Sequence, residues 1–357
     1  METHTLEIDF YGVRVALLSD APELLADLGR DFAWFSAGTV PLPAAPGAYG
    51  PTGAAGTVPL PGRGPHIRLT LSLGAPAPGR LPRRAYFRWK GARIAQEGTL
   101  RKVDYGGRAL LEYDLDREEG SLRGESPELL HELAYLAVLS RAGELLDRGG
   151  LHRVHALGFT YRGRGGLVLL RMGGGKSRLA LELLKREGFG LLSDDMPLLE
   201  GNGRRLRAFP LRLGLRGGDR DGIPEGRLRP FHRRRFGTKF LVDLDYFRGK
   251  VCAAAPLCWV LTASRGAAER PRIAPCSGAG AAGALLSGMV AGIGLPQVLE
   301  LMLPAPPFLS GAPGLASIAA GRLSAAARAL SGARCGRFRL ASDAAANADA
   351  LEGFLAG

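Results

Sequence analysis

Between Leu167 and Asp195 the chain runs in an order that few folds accommodate: a short strand, a glycine-rich turn, a helix, a second apolar strand and a pair of acids. The first strand is Leu167-Val168-Leu169-Leu170, and the turn is Met172-Gly173-Gly174-Gly175-Lys176-Ser177. The helix runs from Arg178 to about Lys185, the second strand covers Phe189 to Leu192, and Ser193-Asp194-Asp195 closes the unit. A buried strand that feeds a helix through a tight turn is the building block of an α/β fold.

The turn has the chemistry of a phosphate-binding loop. Such a loop needs backbone N–H groups converging on oxygens, and side chains would obstruct the approach. Gly173, Gly174 and Gly175 remove that obstruction and allow positive φ. Lys176 then supplies a point charge for the β and γ phosphates, and the Ser177 hydroxyl stands where magnesium is ligated. Arg178 opens the helix, whose N-terminal dipole favours an anion. The nucleotide-binding set is therefore Gly173, Gly174, Gly175, Lys176, Ser177 and Arg178. The pattern G-x-x-x-x-G-K-[ST] is incomplete, because Leu170 occupies the position of its first glycine. Asp194 and Asp195 follow the neighbouring strand, where phosphoryl transfer requires a magnesium ligand and a base. One carboxylate can hold the metal while the other accepts a proton from an attacking hydroxyl.

The rest of the chain sets the context. Its 357 residues exceed what one core usually organises, so two regions are expected, 1–150 and 151–357. In the first region, Leu6 to Leu18 reads as a strand pair hinged near Gly12, followed by a helix from Pro22 to about Asp31. A Pro/Gly/Ala tract over 39–65 has no periodicity and reads as a long mobile loop. Ile67 to Leu73 alternates as a half-buried strand. Tyr86 to Ala95 and Leu100 to Leu115 are further strand regions, the latter turning at Gly106-Gly107. Ser126-Pro127-Glu128 caps a helix that ends near Gly149-Gly150; His131 on it is expected to be structural. Val154 to Tyr161 opens the second region as a strand. The uncharged stretch Ile273 to Leu299 holds six glycines and two prolines, which favours packed helices over a membrane span. Further helices, such as Leu315 to Leu330, are expected toward the C-terminus.

The formal charge of +13 is mostly arginine. Residues 201–240 concentrate it, with twelve Arg or Lys against three acids, so an anionic ligand or acidic partner is expected there. Nucleic acid is not, since aromatic interleaving and helix-turn-helix or zinc-finger spacing are lacking. The cysteines, Cys252, Cys258, Cys276 and Cys335, have neither C-x-x-C spacing nor a nearby histidine pair. They read as free thiols of a cytoplasmic protein, and the N-terminus lacks the pattern of a secretory signal.

The stretch Val154 to Leu199 resembles the core of HPr kinase/phosphorylase and its relatives. The likeness is carried by His155-Ala156, by Gly165-Gly166 and the apolar strand after them, and by Gly175-Lys176-Ser177. Leu179-Ala180-Leu181-Glu182-Leu183-Leu184 and Leu191-Leu192-Ser193-Asp194-Asp195 complete it. The resemblance implies a phosphoenolpyruvate-carboxykinase-like P-loop kinase core that transfers phosphate to a serine hydroxyl. It implies that Lys176 holds the β/γ phosphates, Ser177 and Asp195 hold Mg2+, Asp194 takes the hydroxyl proton, and His155 meets a phosphate or the acid network. The family's Arg-Gly-Leu-Gly signature has its nearest counterpart in Arg235-Phe236-Gly237-Thr238-Lys239, whose arginine or lysine would stabilise the transferring group. Without the full signature, the broader HPr-kinase-related group, including kinases that tailor ribosomal peptides such as lasso peptides, is the better likeness. Its members also make self-association an expectation.

The expected activity is ATP- and Mg2+-dependent transfer of the γ-phosphoryl to a serine or other hydroxyl of a peptide or small protein, with the basic segment docking an acidic peptide. Two alternatives are a small-molecule kinase and a nucleotide-binding regulatory or assembly protein with little turnover.

Overall fold

The computed structural model describes residues 2–36, 64–82, 85–89, 91–216, 222–233, 237–266, 270–295 and 312–357. The protein is mixed α/β, with three sheets and six α-helices among the described residues.

The first sheet is built from β1 (His4–Phe10), β2 (Val13–Ser19), β3 (Ile67–Leu73), β4 (Phe87–Trp89), β5 (Ala92–Glu97), β6 (Leu100–Asp104), β7 (Ala109–Asp114) and β8 (Glu119–Gly124). Helix α1 (Pro22–Asp31) follows β2, and α2 (Pro127–Arg148) follows β8. The order across the sheet is β1-β2-β3-β8-β7-β6-β5-β4. The β1–β2 hairpin turns at Tyr11-Gly12, both at positive φ, as a tight two-residue turn requires. Gly106 and Gly107 do the same between β6 and β7. Strand β8 pairs in parallel with β3; its residues Glu119 to Gly124 lack the apolar alternation that reveals β3, since only Leu122 is a large apolar residue. Helix α2 is capped by the Ser126 hydroxyl accepting from Leu129 N and packs on β2, β3 and β8. The tract 39–65 lies outside the described residues except for Gly64 and Pro65.

The second sheet begins with β9 (Leu151–Arg153), β10 (Leu157–Tyr161) and β11 (Arg164–Leu169), after which α3 (Lys176–Leu184) leads to β12 (Phe189–Ser193). Next come β13 (Leu198–Glu200), β14 (Arg205–Arg207), β15 (Leu213–Leu215), β16 (Leu228–Arg233), β17 (Gly237–Val242) and β18 (Ala254–Arg265). Then follow β19 (Arg272–Cys276), α4 (Gly278–Leu285), α5 (Ala312–Gly332), β20 (Arg334–Leu340) and α6 (Ala344–Ala356). Strand β18 organises this half, pairing in parallel with β11 and β20 and antiparallel with β14. Strands β15, β17 and β16 form a separate three-stranded sheet out of the basic segment.

Two elements differ from expectation. Ile273 to Cys276 belongs to strand β19, not to a helix; among the described residues β19 pairs only with β20, and an edge position tolerates Pro275, which has no N–H to donate. Arg334 to Leu340 is a strand whose buried Cys335, Phe338 and Leu340 face the core. No helix among the described residues is long and apolar enough to cross a membrane.

The first sheet uses residues before 150 and the others residues after it, yet one continuous buried core runs through both. Phe10 stacks on Phe209 with ring centroids 5.4 Å apart, and the Tyr11 hydroxyl donates to the Ala208 carbonyl at 2.6 Å. Buried ions join the halves as well. Asp147 at the end of α2 accepts from Arg153 on β9 and from Arg322 on α5, at distances down to 2.6 Å, and its carboxylate is held well below the usual range despite complete burial.

Candidate active site

Strand topology explains why distant residues meet. Strand β10 is antiparallel to both β11 and β12, so β11 and β12 point the same way. The C-terminal ends of β11 and β12 and the N-terminal end of β10 therefore share one edge of the sheet. The loop leaves β11, the acids leave β12, and His155 precedes β10; all three arrive at that edge, where α/β sheets place ligand sites.

The loop has the backbone its glycines suggest. Gly173 and Gly175 have φ of 76° and 102°, and Gly175 forms the left-handed cap of α3. Gly174 is needed for another reason: a Cβ there would come within 2.5 Å of the Leu170 side chain. Leu170 is buried beneath the loop, and its carbonyl accepts from Lys176 Nζ at 3.0 Å. The residue that departs from the usual loop pattern thus serves as its floor. Met172 at the tip is exposed.

Lys176 is buried, and a buried amine requires partners. Besides Leu170, Nζ donates to His155 Nε2 at 2.9 Å and lies 3.2 Å from Asp195 Oδ1. An ammonium has no lone pair to offer, so Nε2 is the acceptor and the imidazole proton sits on Nδ1. That nitrogen is 3.3 Å from Asp195 Oδ1 without a well-directed hydrogen bond. Burial and the Lys176 charge lower the His155 pKa, opposed by Asp195, so the ring is neutral at neutral pH. The wall over it is glycine: His155 N donates to the Gly288 carbonyl at 3.0 Å, and a Cβ on Gly294 would strike the ring at 2.6 Å.

The two acids differ in surroundings. Asp194 is buried, with 7% of its surface exposed, and accepts from the Ser177 hydroxyl at 2.8 Å. Burial, then the charge of Asp195, push its carboxyl up to about 7, against the pull of Ser177, Lys239 and Lys176. The side chain of Asp195 is half exposed and faces Lys176 and His155. The Ser193 hydroxyl accepts from Met196 N at 3.0 Å, fixing the turn that carries both acids.

The structure thus brings together His155, Gly173, Gly174, Gly175, Lys176, Ser177, Asp194 and Asp195, with Arg178 on the first turn of α3. Arg235 lies outside the described residues. Lys239, on β17, has its Nζ beside Gly214, 2.9 Å from where a Cβ would stand, and its charge reaches Asp194. Arg216 was legible only as one of many cations, yet its guanidinium stands over the loop, 2.6 Å from a Cβ position on Gly173. Tyr135 on α2 gave no signal at all. Its phenol is pushed up by burial and then by the charges of Asp194 and Asp195.

The basic segment is partly spent inside the protein. Arg212 pairs with Asp31 and lies over the Tyr135 ring, 4.0 Å from its centroid. Arg229 reaches Asp31 and Asp243 at 2.8 and 3.0 Å, and Arg207 reaches Glu200 at 2.8 Å. His131 meets Asp31 at 2.6 Å and is buried, a structural contact. The four cysteines are free thiols.

For magnesium, the donor set is the Ser177 hydroxyl beside the Asp194 carboxylate. No group of three or more His, Cys, Asp or Glu side chains among the described residues is arranged to hold a metal. A hydroxyl with one or two carboxylates suits a cation that takes its remaining ligands from water and phosphate. Burial, then the neighbouring Asp195 charge, raises the Asp194 pKa, a cost of ionisation that a divalent cation would relieve.

Compared with protein-family models and with curated proteins, the chain matches none.

Proposed function

We propose that the protein is a P-loop kinase with a phosphoenolpyruvate-carboxykinase-like core that transfers the γ-phosphoryl of ATP, with magnesium, to a serine or other hydroxyl of a peptide or small protein. The observation that carries this reading is the meeting of Lys176, Ser177, Asp194 and Asp195 at one sheet edge. A loop that only binds phosphate has no need of a half-exposed carboxylate 3.2 Å from its lysine.

Lys176 and the first turn of α3 would hold the β and γ phosphates, Lys176 exchanging its present partners for phosphate oxygens. Ser177 and Asp194 would hold the magnesium, which when bound neutralises phosphate charge. Asp195 is the carboxylate an acceptor hydroxyl reaches from solvent; it would orient that hydroxyl and take its proton as the oxygen bonds to γ-phosphorus and the bond to the β-phosphate oxygen breaks. This division reverses the roles that the resemblance implied for the two acids, because the Ser177 hydroxyl pairs with Asp194. His155 would keep Asp195 and Lys176 in register, and Arg216 and Lys239 would meet charge developing on the transferred group.

The test is transfer from γ-labelled ATP to serine-containing acidic peptides by wild type, Asp194→Asn and Asp195→Asn. Wild type is expected to label peptide. Asp195→Asn should lose transfer at least a hundredfold while binding MgATP, whereas Asp194→Asn should lose the magnesium dependence of nucleotide binding. Label moving only to small metabolites would transfer the proposal to a small-molecule kinase. Nucleotide binding without any transfer would refute the kinase reading.

A further inference from the structure

A cavity of about 280 Å3 opens along the side of α3. One wall is the helix itself, through Arg178, Leu181, Glu182 and Lys185; the other is Ile223 with Tyr246 and Phe247. Its position relative to the loop is set by α3, which starts at Lys176 and rises ~1.5 Å per residue. Arg178 therefore lies at the loop's own level, and Leu181 and Lys185 stand about 7 and about 13 Å along the axis from Lys176. Arg216, just after β15, stands over Gly173, and Gly222 and Ile223 line the cavity.

We propose that this cavity is the nucleoside subsite, taking the base and ribose of the nucleotide whose phosphates the loop holds; the proposal rests on the phosphate-loop reading above. Size suits it, since the volume falls near the lower end of the ~300–1,000 Å3 of small-molecule sites. So does chemistry. Phe247 is buried at the cavity wall, while Tyr246 keeps 41% of its surface exposed, a ring available for stacking on the flat face of a base. Glu182, whose carboxylate holds Lys185 at 2.6 Å, is an acceptor for an exocyclic amine. Arg178, Lys185 and Lys250 make the rim basic, matching a ligand that carries its negative charge at one end. An extended acidic peptide would leave the apolar walls unfilled.

Calorimetric titration of the full chain with MgATP and with magnesium tripolyphosphate separates the subsite from the loop. Wild type is expected to bind ATP more tightly than tripolyphosphate. Tyr246→Ala, and Leu181→Trp, which fills the cavity, should each weaken ATP roughly tenfold to a hundredfold, the range of a lost base–aromatic stack, and leave tripolyphosphate unchanged. Thermal unfolding of both variants serves as the folding control. Equal wild-type affinity for the two ligands, or ATP binding untouched by both substitutions, would overturn the nucleoside subsite alone. Failure of wild type to bind either ligand would overturn the phosphate loop and the subsite together.

Discussion

Asp194→Asn should make the nucleotide-free protein more stable at neutral and alkaline pH. In the folded chain the carboxyl is pushed from 3.8 to about 7, first by burial and then by Asp195. Because the folded value is raised, the contribution of the protonated acid is fully present below the unfolded value and is lost as pH rises through the folded one. Ionisation then costs at most about 4 kcal/mol, from ~1.4 kcal/mol per tenfold change in proton affinity. Asparagine keeps the shape and a partner for the Ser177 hydroxyl; an imperfect hydrogen bond takes back on the order of 1 kcal/mol. A net gain of roughly 3 kcal/mol at about pH 8 follows; it falls on acidification and reverses to a deficit of about 1 kcal/mol below about pH 3, where the acid is protonated in both states and only the hydrogen-bond loss remains. Thermal unfolding with a chelator present, across that range, should show the Asn variant several degrees higher at the alkaline end and slightly lower at the acid end. A variant less stable than wild type at alkaline pH, or a gap independent of pH, would refute the argument that Asp194 is an unrelieved buried acid.

Two further substitutions test the frame around the site. Gly174→Ala should push its methyl into Leu170, costing about 1–3 kcal/mol as overpacking does and weakening nucleotide binding; adding Leu170→Ala should restore much of the binding. Asp147→Asn should destabilise by about 3–5 kcal/mol, because Arg153 and Arg322 are left buried without their counter-charge. Since the Asp147 pKa is depressed by those arginines and His152, the gap should hold through neutral pH and close on acidification below about pH 4 in denaturant titrations.

What the sequence revealed was local and what it hid was long-range. The order from Leu167 to Asp195 was readable because each step has its own signal: an apolar run, three glycines, helical spacing, acids at a strand end. The proximity of His155 to Lys176 was not contained in that pattern. It follows from β10 running antiparallel between β11 and β12, which no spacing of residues encodes. Arg216 could not be told from the other cations for the same reason, since it reaches the loop from the end of β15. Leu170 was readable as a departure from the loop pattern, but its use as the floor under Gly174 depends on the loop folding back over the end of β11. Within the basic segment, charge alone could not separate Arg212 and Arg229, consumed by Asp31, from Arg216, placed over the loop. Strand β20 escaped because a cysteine, a glycine and arginines break its apolar alternation.

In the proposed kinase the loop from Met172 to Ser177 holds the phosphates of a magnesium nucleotide through Lys176. Calorimetric titration of wild type and Lys176→Ala with ATP, each with magnesium and with chelator, tests it most directly. Saturable, magnesium-dependent binding to wild type is expected, with a loss of at least tenfold in affinity in the variant while its thermal midpoint stays close to wild type. Binding of equal strength in the two proteins, or no binding by wild type, would contradict it.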